Sequence, residues 1–369
     1  PMSILDDPKR IGEIDQSNMR EDIDLMPEYL SQAVNEFKPT LPLPSRSDFD
    51  NIVLVGMGTS AIAAEIALNW LADHLDKPAI LVRDSRLPGF SNTRTMILAV
   101  SYSGDTQETL EALLDAIRKG CQVVTISSGG NMRRISGRHR IPHYNVKPGL
   151  EPRTALPFLL AASSLALSSF SNETDANLEI LGAVDHLKSL RNQIGWRVPQ
   201  KNNPAKQLAL NIVATIPVAH AFYRNSGLAR RMKNQLNENS KMPVVMSILP
   251  ESCHNELEVW GRAIQYMPNF SHVFLRTEET QEEAIRVQET KKSLAEMRVA
   301  NIYEIAGVGQ TRVSQLLSVT HFVDYVSFYL SILREIDPTP WERIQELKKR
   351  ILVRTGFQEM LDKRAVDVS

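Results

Sequence analysis

Two short stretches of this chain carry residue types suited to holding a phosphate. The first, Gly56-Met57-Gly58-Thr59-Ser60-Ala61, stands between an apolar run and an apolar helical segment. Glycines permit a tight turn and close approach of a ligand, and the helix start offers unsatisfied amides at the positive end of its dipole. The spacing also fits G-x-G-x-x-A, with Asp84 at the end of the next strand. Taken alone, this stretch leaves a dinucleotide turn, another phosphate turn and a plain tight turn open. The second stretch is Ser101-Tyr102-Ser103-Gly104-Asp105-Thr106. Its hydroxyls at a helix start can surround a phosphate monoester, whereas the simpler alternative is Ser103 or Asp105 capping that helix. The Asp105 charge would also repel a phosphate that came too close. Two such turns on one parallel sheet point to one phosphate held where two strands end.

The turns need a sheet to position them. Ile52–Val55, Ala79–Arg83, Met96–Val100, Gln122–Ile126 and Ile141–Val146 read as strands. Helices are expected over Ala61–Leu71 and Thr106–Arg118, with a long apolar helix from Arg153. The polar stretch Gln193–Pro204 reads as a link. A second series follows, with strands Ile216–Ala221, Pro243–Leu249, His272–Arg276 and Asn301–Ile305. Its helices are Leu228–Ser240, Leu257–Ile264, Gln281–Glu296 and Thr311–Leu333, and a basic amphipathic helix, Trp341–Val353, closes the chain. Strands alternating with helices mean parallel pairing. The expected architecture is α/β: two doubly wound parallel sheets in three-layer α/β/α domains, with helical extensions at both ends. Its bounds are 1–48 for a polar, helical N-terminal extension, 49–192 and 193–335 for the two domains, and 336–369 for the C-terminal helix and tail. Leu25, Met26, Tyr29, Leu30 and Val34 recur at helical spacing in the first of these.

Composition narrows the function classes. The 369 residues include 42 basic and 43 acidic side chains, a balance that favours neither nucleic acid nor an anionic membrane as partner. The first residues lack the apolar core of a signal peptide, and Phe158–Leu167 is too short to span a bilayer. The two cysteines, Cys121 and Cys253, form no disulfide framework, so a reducing, cytoplasmic location is expected.

Four further segments follow the turns in order: Glu151-Pro-Arg153-Thr-Ala-Leu156, Asn234-Gln-Leu-Asn-Glu238-Asn-Ser-Lys241, Leu249-Pro-Glu-Ser-Cys-His254-Asn-Glu256, and Asp337-Pro-Thr339-Pro340 with Glu346-Leu-Lys348. The two turns resemble the sugar isomerase (SIS) domain of phosphosugar-binding proteins. With the four segments, the chain is similar over about residues 50 to 350 to the bifunctional phosphoglucose/phosphomannose isomerases. Thr59 and Asp105 stand where that family more often carries glycine and asparagine.

The resemblance implies two SIS-type domains and an isomerase interconverting glucose 6-phosphate or mannose 6-phosphate with fructose 6-phosphate. It implies an enediol(ate) intermediate, no metal and no cofactor, and a homodimer in which His254 reaches the site from the other subunit. Gly58, Thr59, Ser60, Ser101, Ser103 and Thr106 would hold the phosphate. Glu238 would move the proton between C1 and C2, His254 would help open the ring, and Arg153 would stabilise the enediolate. Thr339 matches the place associated with accepting both C2 epimers, and Lys348 a lysine near the ring oxygen. The chemistry wants these types: a positioned carboxylate contributes ~10²–10⁴-fold, a fixed cation meets developing oxyanion charge, and a histidine titrating near neutrality shuttles the ring-opening proton.

Blander readings stand beside these. Glu238, among Asn234, Asn237 and Asn239, could be a solvated helix face. Arg153 could be a surface residue, and Glu256 is a rival for the base. Cys253-His254 could be half a metal site, but no partner stands at ligand spacing. His139 and His143 read as surface, and His74, His186, His220, His272 and His321 have no visible context. A non-catalytic sugar-phosphate sensor is the competing function; it would keep both hydroxyl turns without needing Glu238, His254 and Arg153. A nicotinamide enzyme using Gly56, Gly58 and Asp84 is the third.

Overall fold

The computed structural model describes residues 3–171, 175–262, 265, 267–357, 359 and 361. Two all-parallel sheets carry the fold. The first holds β1 (Asn51–Gly56), β2 (Ala79–Val82), β3 (Thr95–Val100), β4 (Gln122–Ser127) and β5 (His143–Asn145), in the order β2-β1-β3-β4-β5. The second holds β6 (Ile216–Phe222), β7 (Val245–Leu249), β8 (Phe270–Arg276) and β9 (Ile302–Ala306), in the order β7-β6-β8-β9. Both sheets are doubly wound, as expected. The central strands are mostly apolar because they are buried between layers; β3 is buried at every residue. In each sheet the strand order reverses beside the first strand, between β1 and β3 and again between β6 and β8. Open α/β sheets bind ligands at such a reversal, outside the carboxyl ends of the strands.

The chain divides into two compact units, neither of them one continuous stretch. Unit 1 comprises 1–35, 65–72 and 175–339; unit 2 comprises 36–64, 73–174 and 340–369. Unit 2 holds the first sheet, with a core that includes Val53, Val55, Ile97, Leu110, Leu113 and Met132. Phe357 and Leu361 join that core from the C-terminal segment. Unit 1 holds the second sheet, with Val218, Phe222, Leu249, Trp260, Phe274 and Leu294 in one cluster. Its helix Arg312–Leu333 is 22 residues long and apolar enough to cross a membrane, but 89% of its apolar window is buried. It is a core helix.

Several local expectations need correction. The polar stretch Gln193–Pro204 is a packed turn inside unit 1. Helix Ala176–Ile194 runs into it, and buried Asn203 donates to the Ile194 carbonyl at 2.9 Å while accepting from Lys206 N at 3.0 Å. Lys206 is buried too, its ammonium donating to the carbonyls of Leu5 (2.6 Å) and Trp196 (2.9 Å) and pairing with Asp6 (3.0 Å). Polarity here marks internal hydrogen bonding. The N-terminal segment is helical but less polar in effect than expected: Leu5, Ile11, Met19, Ile23, Met26 and Leu30 are buried in unit 1, while Leu25 is exposed. Helix Gly130–Arg138 was not anticipated, since only Met132 and Ile135 mark its apolar face. The helix expected over Leu257–Ile264 runs Leu257–Arg262, positions 263 and 264 lying outside the described residues. Positions 362–369 of the expected tail lie outside them as well.

Candidate active site

In unit 2 both phosphate-type turns sit where β1 and β3 end, on either side of the reversal. Gly58 opens helix Gly58–Leu71 at φ +52°, a backbone setting costly for any side chain but its own. Ser60 lies in the first turn of that helix, and its Oγ accepts from Tyr102 N at 3.0 Å. The hydroxyl thus ties one turn to the other. Ser101 Oγ donates to Thr106 Oγ1 at 3.0 Å and accepts from Gly104 N at 3.2 Å. Ser103 is exposed, and its Oγ accepts from Asp105 N at 3.2 Å. Gly104, at φ +74°, is required on two counts: a Cβ there would stand 2.0 Å from the Gly129 carbonyl oxygen. Thr59 and Ser60 are buried and Thr106 half-buried.

The capping alternative fails for this turn. Thr106 is the N-cap of helix Gln107–Arg118, and no side chain accepts from its first amides. Ser103 and Asp105 are engaged elsewhere. Asp105 Oδ1 accepts from the backbone amide (2.8 Å) and side-chain amide (2.7 Å) of Asn131. The feared repulsion is therefore moderated, because two donors already draw on this carboxylate. An uncapped helix N-terminus beside the Ser60, Ser101 and Thr106 hydroxyls is a ready anion seat. Asp84, the residue a dinucleotide turn would use, instead accepts from Arg86 N at 3.3 Å.

Arg153 belongs to the same unit, just ahead of helix Leu156–Ser168. It is 1% exposed, which rules out a surface arginine, and Glu151 Oε2 lies 4.0 Å from Nη2. Tyr102, which the sequence did not single out, connects this segment to the turns. Its hydroxyl donates to the Lys147 carbonyl (3.0 Å) and accepts from Leu150 N (2.9 Å), so the turn that receives Ser60 also pins the loop leading to Arg153. Lys348 is exposed on helix Glu342–Thr355, with its ammonium 5.1 Å from the centroid of the Trp341 ring.

Glu238, His254 and Thr339 lie in unit 1. Glu238 is half-buried in a π-helical turn, Leu236–Ser240, that continues helix Ser226–Gln235. Single π turns inside helices recur at functional sites. The turn is not a wholly solvated face, because Arg231, Gln235 and Asn239 around it are buried. Arg231, 1% exposed, makes paired 2.8 Å contacts from Nε and Nη2 to the Asp324 carboxylate. Gln235 adds a 2.9 Å bond to Asp324, and Asn239 donates to Ser327 Oγ at 2.9 Å. Both acceptors lie on helix Arg312–Leu333. Burial pushes the Asp324 carboxyl up, and the adjacent guanidinium and amide act against that shift. Among the expected asparagines only Asn237 is exposed.

His254 is exposed at the end of the 3-10 turn Glu251–His254, which follows the cis Leu249–Pro250 bond. Thr339 is half-buried, and its amide donates to Asp337 Oδ1 at 3.0 Å. Among the described residues, no three His, Cys, Asp or Glu side chains cluster as metal ligands. His143 is a correction: it is buried, with Nδ1 2.8 Å from Thr125 Oγ1, and burial followed by the Arg133 charge lowers it to about 4. Other histidines without visible context prove to be core residues. His220 and His272 are buried and joined Nε2 to Nδ1 at 2.8 Å, and His321 Nε2 stands 2.9 Å from the Ile23 carbonyl.

Comparison with known proteins agrees with this arrangement. Residues 201–351 match the model of the bacterial phospho-glucose isomerase C-terminal SIS domain. The chain is 30% identical over 335 residues to a bifunctional phosphoglucose/phosphomannose isomerase of Caldicellulosiruptor bescii, covering 90% of this chain and 98% of that protein. It is 30% identical over 306 residues to that of Aquifex aeolicus, covering 82% and 91%. In fold it is similar to a glucose-6-phosphate isomerase like protein from Thermus thermophilus, with a TM-score of 0.58 at 18% identity over 94% of this chain and 99% of that one. The sensor and nicotinamide alternatives thereby give way, and two hydroxyl-lined turns on a doubly wound sheet, with near-full-length kinship, make this chain a member of the bifunctional phosphoglucose/phosphomannose isomerase family and an aldose–ketose isomerase.

Proposed function

We propose that the protein interconverts glucose 6-phosphate or mannose 6-phosphate with fructose 6-phosphate through an enediol(ate), by general acid/base catalysis without a metal. The observation that carries the reading is the uncapped start of helix Gln107–Arg118, flanked by the hydroxyls of Ser60, Ser101 and Thr106. Backbone amides and neutral hydroxyls suit a phosphate dianion, and they leave the sugar end of the molecule to other groups. Ser103, Gly58 and Thr59 complete the seat. Phosphate binding supplies affinity remote from the reacting carbons, which is the usual way binding energy is directed into orientation.

In this reading Glu238 takes the proton from one of C1 and C2 and returns it to the other. A carboxylate held in a half-buried π turn on a rigid buried network is suited to that task. Arg153 meets the oxyanion charge of the intermediate. His254 relays the proton that opens the ring, and its exposure fits delivery to the partner subunit of a homodimer. Thr339 allows either C2 epimer, and Lys348 attends the ring oxygen. The substrate is a small-molecule sugar phosphate, the setting cytoplasmic, and no nucleic acid or membrane takes part.

The decisive experiment is a coupled assay with both aldose 6-phosphates on Glu238→Gln. Turnover is expected to fall by ~10²–10⁴-fold while a sugar-phosphate analogue still binds. Near-normal turnover in this variant would move the base to another residue, Glu256 first.

A further inference from the structure

The most unexplained cavity of unit 2 lies at the outer edge of its sheet, beside β5. It has a volume of about 440 Å³ and is lined by Thr40, Leu41, Arg133, Arg140, His143 and Asn145, among others. That size suits a small metabolite. None of its lining residues is acidic. The guanidinium groups of Arg133 and Arg140 make no hydrogen bond or ion pair with any described residue. Elsewhere in unit 2, Arg46, Arg94 and Arg118 each hold a carboxylate. Arg133 and Arg140 are both exposed, and both line this one pocket without a counter-charge among its lining residues.

The backbone sets one of the two arginines in place. Arg140 has φ +53°, in the left-handed region where glycine or asparagine follows a helix more cheaply. Arg140 thus ends helix Gly130–Arg138 in the same left-handed backbone that Arg298 and Glu335 adopt after their helices, which turns the chain into β5 and sets Arg140 at the pocket. The pocket is framed by ordered structure. Residues 39–41 run antiparallel to β5: Thr40 N donates to the His143 carbonyl at 2.9 Å, and Thr40 Oγ1 accepts from His143 N at 3.1 Å. Neutral His143 forms one wall, so the positive charge comes from the arginines.

We propose that this pocket is a second anion site, separate from the two turns, and that it takes a small phosphorylated metabolite. Planar guanidinium forks match phosphate oxygens in pairs, and Thr40 and Asn145 add neutral polar groups. Leu41 and Ile141 give an apolar wall for the organic part of the ligand. The site lies beside β5, while the turns follow β1 and β3, and β4 stands between β3 and β5. Occupancy of one therefore does not block the other.

Calorimetric titration of the full chain with inorganic pyrophosphate tests this. Wild-type protein should bind at two sites per chain. Arg133→Gln/Arg140→Gln should keep one and weaken the other at least tenfold, with the melting temperature unchanged. Should the double variant fail to fold, Arg140→Gly decides, because it removes the charge while relieving the backbone; it should bind pyrophosphate several-fold more weakly at that site. Binding unchanged in the variant that folds would overturn the proposal. Citrate is the second arm. Displacement of pyrophosphate from this site by equimolar citrate would assign it to polycarboxylates instead, and no displacement supports a phosphate ligand.

Discussion

The two sheets share one winding order, yet the reversals beside β1 and β6 are finished in opposite ways. At β1/β3 the strand ends carry small hydroxyl residues, glycines and an uncapped helix start. At β6/β8 the corresponding positions are filled by long side chains. Asn225 Nδ2 donates to Thr277 Oγ1 at 2.8 Å, and Arg312 Nη2 donates to Asn225 Oδ1 at 2.8 Å and the Arg224 carbonyl at 3.0 Å. Glu278 then pairs with both Arg312 and Arg224 at 3.2 Å. The first reversal leaves neutral hydroxyls and helix-start amides uncapped, and the second sets its cations against the exposed Glu278 carboxylate. Topology supplies the crevice; side-chain length and charge decide whether a ligand or the protein itself fills it.

The contrast can be broken by four substitutions, the largest expected effect first. Arg231→Met strips the guanidinium from buried Asp324. Removing one partner of a buried pair costs ~3–5 kcal/mol, and the Glu238 turn should loosen with it. Chemical denaturation should show unit 1 unfolding early, and a loss under 1 kcal/mol would mean that this network contributes little support. Arg312→Ala should follow at ~1–3 kcal/mol, since Glu278, Asn225 and two carbonyls lose a charged donor. If the variant's melting temperature held while KM rose, the second reversal would be a ligand site after all.

The third test concerns protons. Burial holds His272 at about 4, against an ordinary value near 6.5, so it is neutral in the folded protein when it would already be charged in the unfolded chain. Its stabilising contribution is complete above pH 6.5 and is lost as pH falls toward 4, because the unfolded state binds the extra proton. His272→Gln should flatten the slope of unfolding free energy in this window by up to about 1.4 kcal/mol per pH unit. An unchanged slope would show that His272 is not the group titrating. The smallest expected effect is at the first reversal. Ser103→Ala, at an exposed site, should raise KM for the sugar phosphate about 3- to 10-fold, of the order of one hydrogen bond, and leave melting within a degree or two. A stability loss with constant KM would make the turn structural.

Short-range patterns were legible along the chain because their causes are local. Buried parallel strands announce themselves as apolar runs, and the glycine and hydroxyl turns at 56–61 and 101–106 fell at the strand ends where they were expected. Helix Gln281–Glu296 matches its sequence bounds because the Thr280 side chain and Glu283 form a capping box. Helix Gly130–Arg138 carries little such signal, because its buried face is only Met132, Ile135 and Ser136.

By itself, the sequence determined the alternation of strands and helices that makes both sheets parallel, the place of the glycine and hydroxyl turns at the strand ends, and the family resemblance. Only the tertiary structure decided which polar residues are buried and what they hold. Ser60 meets Tyr102 across 42 positions, and Arg231 meets Asp324 across 93. A polar residue looks alike in sequence whether water or a distant side chain satisfies it. Desolvation separates the two cases, and it exists only once the chain has folded.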